Sequence, residues 1–417
     1  MQACGPHLTL EDCRARDAAH AALGAMREHF APGEAGTIYL DANSIGPMPA
    51  SAPGAMQAVM QEGWARLRRR AWNELDWLAQ PRTLGAAIAP LVGAGPGDLR
   101  VADTTSVNLY KLLRHALAVA APRRVIVMQS AVFPSNRYVA EGIAEARLAQ
   151  LRFVDDIAAL PGALAPGDVA VVALSHVDYR SSERLDMRAL NAQIAAAGAL
   201  SLWDLSHSVG AVAIDLLGSD ADYAVGCGYK YLCGGPGAPA FLYVHPRHAD
   251  AAGPAVCGWM GHADTFAFEP GFRPAPGHDR FLVGTPPVLA QAAFAAAASL
   301  WQAVDPQALE ARHRSLTDTL VRLVDEQCDG LGLALASPRE HARRGGHVAL
   351  RFAHAAPLSQ ALCAQGVVVS ARKPDALRLA PHPLVTTHED LWHAARTLRE
   401  LLHQEAWRDP RFAGASV

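Results

Sequence analysis

The sequence lacks long apolar runs, an excess of basic side chains and paired cysteine motifs. No apolar run approaches the ~20 residues that a membrane-spanning helix needs, so we expect no membrane-embedded part. The formal net charge of −3 offers no basic surface to nucleic acid or to a membrane. The seven cysteines are odd in number and show no CxxC spacing, which argues against zinc and against a disulfide framework.

The N-terminal segment also lacks a targeting signal. Residues 1–17 mix charged and polar side chains and contain no apolar core of a secretory signal peptide. Together with the cysteine usage, this composition predicts a cytoplasmic protein with reduced thiols. The chain shows no internal repeat and no low-complexity segment beyond a bias toward alanine.

One basic cluster is present, from Arg66 to Arg70. Trp64, Leu67 and Trp72 interleave with its arginines, a pattern typical of the solvated face of a helix. A contact between these arginines and a phosphate or carboxylate group is the alternative.

Short apolar strands alternate with helical segments through the middle of the chain. The predicted strands cover residues 124–128, 168–174, 199–205, 222–227 and 239–244. Helical periodicity lies beside or between them over residues 107–118 and 187–197. Continuous β-branched strands that alternate with helices indicate an α/β fold, in which a mostly parallel sheet is sandwiched by helices.

The length of 417 residues predicts two unequal domains rather than one small core. From Pro286 to about Glu326 the pattern is helical and alanine-rich, which suits a connection into a second domain. The remainder reads as an α+β segment that ends in a helix from His388 to about Gln404. We therefore predict a large domain over residues 36–295 and a smaller C-terminal domain over residues 296–417, with residues 1–35 packed on it.

Polar clusters follow the predicted strands at the points where they end. They are Thr104–Ser106, Phe133–Ser135, Ser175–His176, Asp204–His207 and Tyr229–Lys230. Because ligands of parallel sheets bind beyond the carboxyl ends of the strands, we expect these clusters to form one site.

Asp204 and Lys230 are the most informative pair in these clusters. Asp204 ends an apolar strand, and Lys230 stands 26 positions later (230 − 204) before a loop rich in glycine and proline. Pyridoxal phosphate needs a lysine for its Schiff base and a carboxylate on its ring nitrogen. A surface lysine and a helix-capping aspartate are the ordinary alternatives. The flanking tyrosines and glycines favour a pyridoxal phosphate enzyme.

Three further residues suit the cofactor itself. Thr105 and Ser106 begin a helix, where hydroxyls and free N–H groups bind an anion such as the cofactor phosphate. They could equally be plain helix caps. Phe133 could stack on the pyridine ring, although a single phenylalanine is more often part of a core.

His207, Tyr229 and Arg378 have both functional and structural interpretations. His207 could hydrogen-bond a ring substituent or be a satisfied core histidine. Tyr229 could reach the cofactor phosphate or be a half-buried aromatic residue. Arg378 suits bidentate capture of an amino acid carboxylate, and a surface strand arginine is its alternative.

Blocks along most of the chain resemble the kynureninase family. They read YLDANSIGPMP, EGWARLRRRAWN, TTSVNLYKLL, FPSN, SHVDYR, WDLSHSVGAV, DYAVGCGYKYLCGGPGAPAFLYV, GWMGHADTFAF, RPAPGHDRFLVGTPPVL and RLAPHPL. The resemblance implies a fold-type I pyridoxal phosphate enzyme of the class V aminotransferase superfamily. It also implies hydrolysis of L-kynurenine to anthranilate and L-alanine, with 3-hydroxykynurenine as a further candidate substrate, in a homodimer whose active site lies at the subunit interface.

The resemblance assigns a role to each matching residue. Lys230 would form the Schiff base, Asp204 would hold the ring nitrogen, and Tyr229 would bind the cofactor phosphate. We also expect Tyr229 to relay protons in the later steps. The implied cofactor-binding set is Thr105, Ser106, Phe133, Asn136, Asp204, His207, Tyr229, Lys230, Trp259 and Thr285, the last tryptophan and threonine coming from the neighbouring subunit. The implied substrate-binding set is Arg378, Trp64, Asn43 and Gly284.

The chain departs from the family pattern at three places. The Phe-Pro-Ser/Thr-Asp motif ends here in Asn136, so Asp204 would hold the charge of the ring nitrogen alone. Ala42 replaces a glycine, which matters if the turn needs a positive φ. The segment 179–183 drifts from the usual Tyr-Arg-Thr-Gly.

Two alternative functions remain open at this point. Another class V enzyme, a cysteine desulfurase or a transaminase, is the nearer one. A desulfurase needs a cysteine on a mobile loop, whereas Cys328 and Cys363 fall in helix-like segments. A pyridoxal phosphate-binding protein without catalysis is the other, and retention of Lys230, Asp204 and Arg378 argues against it.

Overall fold

A computed structural model describes residues 7–413 of the protein. Residues 1–6 of the predicted N-terminal segment and residues 414–417 of the predicted small domain lie outside the described residues. Within the described range, none of the helices combines the length and the apolar character that crossing a membrane requires.

Short strands build three sheets in the described chain. The strands are β1 (Ile38–Tyr39), β2 (Leu99–Val101), β3 (Val125–Gln129), β4 (Gln150–Val154), β5 (Val169–Ser175), β6 (Leu200–Asp204), β7 (Tyr223–Gly226), β8 (Phe241–Val244), β9 (Ala334–Leu335), β10 (Val348–Arg351), β11 (Val367–Val368), β12 (Ser370–Arg372) and β13 (Ala376–Leu379).

The largest sheet has seven strands in the order β2-β8-β7-β6-β5-β3-β4. Strands β7, β6, β5, β3 and β4 run parallel, whereas β8 is antiparallel to both of its neighbours. The five predicted strands are β3 and β5 to β8, so the mostly parallel sheet is confirmed. The pattern did not predict β2, which has three residues, or β4, whose first four residues are not buried.

Helices cover the sheets. They are α1 (Leu10–Ala19), α2 (Ala21–Gly24), α3 (Ala52–Ala58), α4 (Ala71–Glu74), α5 (Gln80–Ile88), α6 (Thr105–Val119), α7 (Pro134–Glu145), α8 (Leu160–Leu164), α9 (Met187–Ala196), α10 (Val288–Trp301), α11 (Pro306–Gln327), α12 (Ala355–Ala364) and α13 (His388–His403). The predicted helical stretch from 286 to 326 is thus two helices, because residues 302–305 separate α10 from α11.

Both faces of the seven-stranded sheet are buried. Consecutive residues of β6 point to opposite faces, so Trp203 lies in one core with Ile194 and Phe294, whereas Leu202 lies in another with Leu112 of α6. This alternation confirms the predicted sandwich of helix, sheet and helix, and it leaves the strand ends free to carry polar residues.

A third core belongs to the C-terminal region. Strands β12, β13, β10 and β9 form an antiparallel sheet, and its leucines pack with those of α11, α12 and α13. Leu8 and Cys13 join this core. The core on the α10 side of the large sheet continues to Leu309. These packing relations support two domains, and the boundary at residues 295 and 296, inside α10, stays a prediction.

The basic cluster lies on the surface, as predicted. Residues Val59–Leu67 form a π-helical segment, and Arg68–Arg70 form a single 3-10 turn. All four arginines are exposed, whereas Leu67 is buried.

Candidate active site

A polar cavity of about 300 Å³ opens at the carboxyl ends of the parallel strands. We call it the Lys230 cavity. Its lining residues are Thr104, Thr105, Ser106, Phe133, Ser135, Asn136, Ser175, Val177, Tyr179, Asp204, Ser206, His207, Tyr229, Lys230, Gly237, Ala238 and Ala240. All five polar clusters predicted at strand ends contribute to it, because parallel strands present their carboxyl ends at one edge of the sheet.

Asp204 is fixed at the end of β6 by two hydrogen bonds. Asn136 donates from Nδ2 to Asp204 Oδ2 at 2.7 Å, and the backbone N–H of Ser206 donates to Oδ1 at 2.9 Å. The carboxylate is nearly buried. Asn136 therefore orients Asp204, whereas the prediction that Asp204 alone would carry the negative charge for the ring nitrogen stays a prediction.

Lys230 is buried, and its Nζ lies 2.8 Å from His207 Nε2. Burial lowers the pKa of Lys230, and the Arg378 charge lowers it further. Burial also lowers the pKa of His207 well below its ordinary value, with Lys230 contributing. A lowered pKa favours the neutral amine, the form of a lysine that attacks an aldehyde or removes a proton.

Close packing holds the Lys230 backbone in place. Gly46 donates its N–H to the Tyr229 carbonyl at 2.8 Å. A Cβ atom at position 46 would lie 2.1 Å from the Lys230 carbonyl oxygen, so only glycine fits there. The N-terminal motif that contains Gly46 is therefore part of the site.

The start of α6 forms an anion cradle. Thr104 caps the helix by accepting the Val107 N–H at 3.3 Å. Among the described residues, the N–H groups of Thr105 and Ser106 have no hydrogen-bond partner. Free N–H groups at the positive end of a helix of 15 residues attract a phosphate group. Thr104, Thr105 and Ser106 are called the phosphate cradle below.

Aromatic side chains wall the cavity. The Phe133 ring is partly exposed, meets the Tyr179 ring edge-to-face at a centroid distance of 5.2 Å, and lies 5.8 Å from Lys230 Nζ. Tyr229 directly precedes Lys230 in the chain, and the centroid of its ring also lies 5.8 Å from Lys230 Nζ. Burial raises the pKa of Tyr229 to about 12, so its hydroxyl keeps its proton and can donate a hydrogen bond.

Arg378 is a buried cation whose described partners are all uncharged. It donates to the Tyr179 carbonyl at 2.8 Å, to Ser370 Oγ at 2.9 Å and to Ser44 Oγ at 3.3 Å. No described carboxylate pairs with it. Burial lowers the pKa of Arg378 to about 10, which still leaves it charged at neutral pH. The Asp41 charge raises the pKa of Arg378 but makes no described salt bridge with it, so the donors of the guanidinium remain suited to a carboxylate ligand.

Asn43 stands beside Arg378 through its neighbour Ser44. It is buried, and both polar atoms of its side chain lack a hydrogen-bond partner among the described residues. Such an amide costs about 1–3 kcal/mol unless a ligand or water satisfies it. Ala42, the preceding residue, has a φ outside the left-handed region. The turn therefore does not need the glycine of the family motif.

The departure from the family motif at residues 179–183 affects the backbone conformation at Ser182. This residue has a φ of 64°, in the left-handed region, and it stands where the Tyr-Arg-Thr-Gly motif has glycine. Its Oγ accepts the backbone N–H of His347 at 3.2 Å, which ties the segment to β10.

Four of the predicted site residues lie away from the Lys230 cavity. Trp64 and Thr285 line an apolar groove of about 1100 Å³, which we call the Trp64 groove, together with Met60, Trp72, Trp77 and Leu289 among others. Gly284 is exposed next to Thr285. Trp259 packs against Phe266 in a separate pocket, with a ring distance of 6.0 Å. The structure does not bring these four residues to Lys230.

Several residues at or beside the cavity were not assigned roles from the sequence. Ser206 orients Asp204 through its main chain, which no side-chain pattern could reveal. Tyr179 shapes both the Phe133 wall and the Arg378 contact. His347 is fully buried, with its ring 5.9 Å from that of His207. Only the position of Tyr179 shortly after a strand end gave a signal.

The donor set of the cavity fits pyridoxal phosphate. The cradle offers N–H groups to a phosphate, Asp204 offers a carboxylate to a ring nitrogen, and Lys230 offers an amine to an aldehyde. His207 Nδ1 is buried and has no described partner, so a polar ligand is needed there. The cavity volume is at the lower end of ligand pockets, as expected for a small cofactor.

Comparisons with known proteins agree with this geometry. A family model described as the kynureninase C-terminal domain matches residues 309–398. A kynureninase from Burkholderia pseudomallei is 43% identical over 397 residues, which cover 94% of this chain and 95% of the relative. A kynureninase from Pseudomonas fluorescens is 41% identical over 411 residues, with 97% and 98% of the two chains covered.

Solved structures show the same fold at lower identity. The cysteine desulfurase CsdA from Escherichia coli superposes with a TM-score of 0.75 at 18% identity, covering 92% of this chain and 98% of its own. A mutant of C-DES with glycine covalently linked to its pyridoxal phosphate cofactor gives a TM-score of 0.74 at 21% identity, covering 89% and 98%. These neighbours establish the fold, and the full-length relatives establish more: the chain belongs to the kynureninase family.

Proposed function

We propose that this protein hydrolyses L-kynurenine to anthranilate and L-alanine, with pyridoxal phosphate held in the Lys230 cavity. The observation that carries this proposal is the meeting, in one cavity, of the Lys230 amine, the Asp204 carboxylate and the phosphate cradle, with the uncompensated cation Arg378 beside it. When bound, the cofactor supplies an electron-withdrawing ring that accepts electrons from the α-carbon of the substrate.

Five residues would hold and tune the cofactor. Thr105 and Ser106 donate N–H groups to the phosphate, and Phe133 covers one face of the ring. Asp204 keeps the ring nitrogen protonated, and Asn136 keeps the Asp204 carboxylate in one orientation through the bond of 2.7 Å. Because these donors and acceptors are fixed before substrate arrives, little reorganisation is needed during the reaction.

Lys230 has two roles in this proposal. Its buried amine would hold the cofactor through the aldehyde group, and with substrate bound it would accept the proton from the substrate α-carbon. The lowered pKa of Lys230 places more of the amine in the basic, unprotonated form at neutral pH. His207, at 2.8 Å, is the nearest described acceptor for the lysine proton.

The substrate carboxylate would bind to Arg378 and Asn43. Arg378 provides the buried charge, and the unpartnered amide of Asn43 provides a further hydrogen bond. With its α-carboxylate bound at Arg378 and Asn43, the substrate would extend its γ-carbonyl away from the cofactor. Tyr229, which keeps its proton because its pKa is raised to about 12, would donate a hydrogen bond and relay protons in the later steps.

A second copy of the chain would complete the site. Trp64 is 67% exposed, and the Trp64 groove exposes apolar side chains over a large area, as interfaces between subunits do. We propose a homodimer in which Trp259 and Thr285 of one chain reach the cofactor of the other. In the same dimer, Trp64 and Gly284 border the aryl group of the substrate.

The two alternative functions have less support. Cys328 directly follows α11, is buried, and has its pKa raised by burial to about 11, so it is a poor nucleophile. Cys363 is exposed but lies within α12 and not on a loop, so neither cysteine offers the reactive loop thiol that a desulfurase requires. A protein without catalysis would not need a Lys230 amine with a lowered pKa beside Arg378, whose guanidinium forms no described salt bridge.

The decisive experiment follows anthranilate fluorescence after purified, cofactor-loaded protein is mixed with L-kynurenine. We expect anthranilate and alanine to appear in equal amounts. 3-Hydroxykynurenine in a parallel reaction measures the preference between the two substrates, and L-cysteine with sulfide detection tests the desulfurase alternative. Sulfide from cysteine without anthranilate from kynurenine would overturn the proposal.

A further inference from the structure

Lys111 is a buried cation on α6, two turns after the phosphate cradle. Its Nζ donates to Asp103 Oδ2 at 2.6 Å and to the Phe281 carbonyl at 2.7 Å. Its side chain is almost completely excluded from solvent, whereas the Asp103 side chain is partly exposed. Removing an ammonium group from water is costly, so this arrangement calls for an explanation beyond helix formation.

Asp103 is the residue that connects β2 to the cradle. Its φ of 52° lies in the left-handed region, which costs a residue other than glycine about 1–2 kcal/mol. Its carbonyl accepts the Ala240 N–H at 2.9 Å, and the neighbouring Ala102 donates to the Ala240 carbonyl at 2.9 Å. Asp103 thus sets the turn between a sheet strand and the cavity wall at Ala240.

The conformation of Asp103 determines where the cradle begins. Thr104 follows it immediately, and Thr105 and Ser106 present the free N–H groups of the helix start. A change of the Asp103 backbone would redirect these groups, because Asp103 leads directly from the β2 side into Thr104 and the first turn of α6. A second link between α6 and the end of β2, from Asn108 Nδ2 to the Ala102 carbonyl at 2.8 Å, lies one turn further along the helix. The contact of Lys111 with Phe281 anchors the pair to the segment that continues to Thr285.

We propose that the ion pair between Lys111 and Asp103 positions the phosphate cradle and shields the cofactor phosphate from the Asp103 carboxylate. This inference rests on the proposed function, since it assumes that a phosphate occupies the cradle. Lys111 is a positioning residue and does not need to touch the cofactor. Without Lys111, the Asp103 carboxylate, which directly precedes the cradle, would repel a phosphate dianion. The strained turn at Asp103 would also lose its hydrogen bond from Lys111.

The protein offers a matched control in Arg100. This arginine is also buried, lies on β2, and pairs with Asp279 at 2.6 Å. Its other donors reach the carbonyls of Gly97 and Leu99, on the side of the strand away from the cradle. Loss of Arg100 therefore removes a comparable buried ion pair without touching the turn at Asp103.

The test compares two ligands on four full-length proteins. Wild type, Lys111→Gln, Arg100→Gln and the double variant Lys111→Met/Asp103→Asn are freed of cofactor by dialysis. Each is titrated with pyridoxal phosphate and with pyridoxal, and the change in absorbance gives both dissociation constants. The ratio of the two constants isolates the contribution of the phosphate group, because a general loss of stability weakens both ligands together.

We expect Lys111→Gln to weaken pyridoxal phosphate by about tenfold and pyridoxal by less than about twofold. Arg100→Gln should leave the ratio within about twofold of wild type, and the double variant should regain part of the loss because its carboxylate is gone. An unchanged ratio in Lys111→Gln, or an equal change in Arg100→Gln, would overturn the inference.

Two results separate this inference from the function beneath it. If wild type itself does not prefer pyridoxal phosphate over pyridoxal, then no phosphate cradle exists, and both proposals fail. If wild type prefers pyridoxal phosphate but Lys111→Gln retains the whole preference, then the cradle stands and only the positioning role is wrong. Should Lys111→Gln not fold, the double variant tests the positioning role, because it lacks both the ion pair and the repelling carboxylate. A weaker preference for pyridoxal phosphate than in wild type supports the inference, and an unchanged preference overturns it.

Discussion

The Lys230 cavity and the Trp64 groove differ in volume, in the side chains that line them and in the elements that form them. The cavity has a volume of about 300 Å³ and polar walls that come from the carboxyl ends of strands. The groove is larger, about 1100 Å³, and is lined mainly by tryptophan, proline and aliphatic side chains at one end of α10. Among the residues that the structure describes, the two have no lining residue in common.

This difference separates the chemistry of the site from its specificity. A single chain places the amine, the carboxylate and the phosphate cradle together, because all three follow strands of one sheet. Trp64, the aromatic residue that the family resemblance assigns to the substrate, faces outward from another part of the surface. We infer that bond making and breaking depends on one chain, whereas recognition of the aryl group depends on two.

Loss of Lys230 gives the strongest test of the cavity. We expect Lys230→Ala to lower kcat by at least about 10³-fold, because the variant lacks both the amine link to the cofactor and the base for the α-proton. Stopped-flow anthranilate fluorescence measures the rate. Appreciable turnover without added amine would contradict the role of Lys230, provided that circular dichroism shows a folded protein.

Arg378 tests whether the edge of the cavity binds the substrate carboxylate. Arg378→Lys keeps a positive charge but loses the planar fork of donors, and we expect a rise in KM of about 10²-fold with a smaller change in kcat. Steady-state kinetics with L-kynurenine supply both constants. An unchanged KM would move carboxylate binding to another residue.

Acid should destabilise the protein through the buried histidines on the cavity side. Burial lowers the pKa of His207 and of His347, so both stay neutral in the folded state while the unfolded chain takes up protons below about pH 6.5. Stability is therefore complete above pH 6.5 and falls as the pH drops, by up to about 1.4 kcal/mol per pH unit for each histidine.

Urea unfolding at pH 7 and pH 5.5 measures this effect. Burial also lowers the pKa of His115, His176, His313 and His382, so the measured loss is the sum over all of these histidines together with His207 and His347. Equal unfolding free energies at the two pH values would show that these histidines titrate normally in the folded protein.

Asn136 tests the orientation of Asp204 more finely. Asn136→Ala removes the hydrogen bond to Asp204 Oδ2, and we expect kcat to fall about tenfold. Ser206→Ala is the matched control, because the bond from Ser206 comes from its backbone and survives the change. Similar losses in the two variants would indicate a general disturbance of the cavity.

Mixed dimers test the division of labour between the cavity and the groove. Chains with Lys230→Ala are coexpressed with chains carrying Trp64→Ala and Thr285→Ala. Random pairing makes about half of the dimers mixed. If the groove of one chain serves the cavity of its partner, one of the two sites in each mixed dimer is intact, which gives about a quarter of wild-type activity. Activity no higher than that of the separate variants would show that each groove belongs to the active site of its own chain.

Sequence reasoning succeeded where the signal was local. The apolar strands β3 and β5 to β8 carry their own β-branched pattern, Asp204 ends β6, and Lys230 follows shortly after β7. It failed for the short strand β2 and for the four largely unburied residues of β4, which are stabilised by pairing with neighbours rather than by their own pattern. The part of Ser206 in the site could not be predicted, because it acts through its main chain.

The sequence by itself determined which groups this protein has for catalysis and at which edge of the sheet they gather, since parallel strands fix that edge. The tertiary structure alone decided how they meet. The bond from Asn136 to Asp204 spans 68 positions, and the bond from Arg378 to the Tyr179 carbonyl spans 199. Contacts of this kind depend on side-chain direction after packing, which no local pattern specifies. For the same reason, only the folded chain shows that Trp64, like Thr285, lies away from the cavity of its own chain.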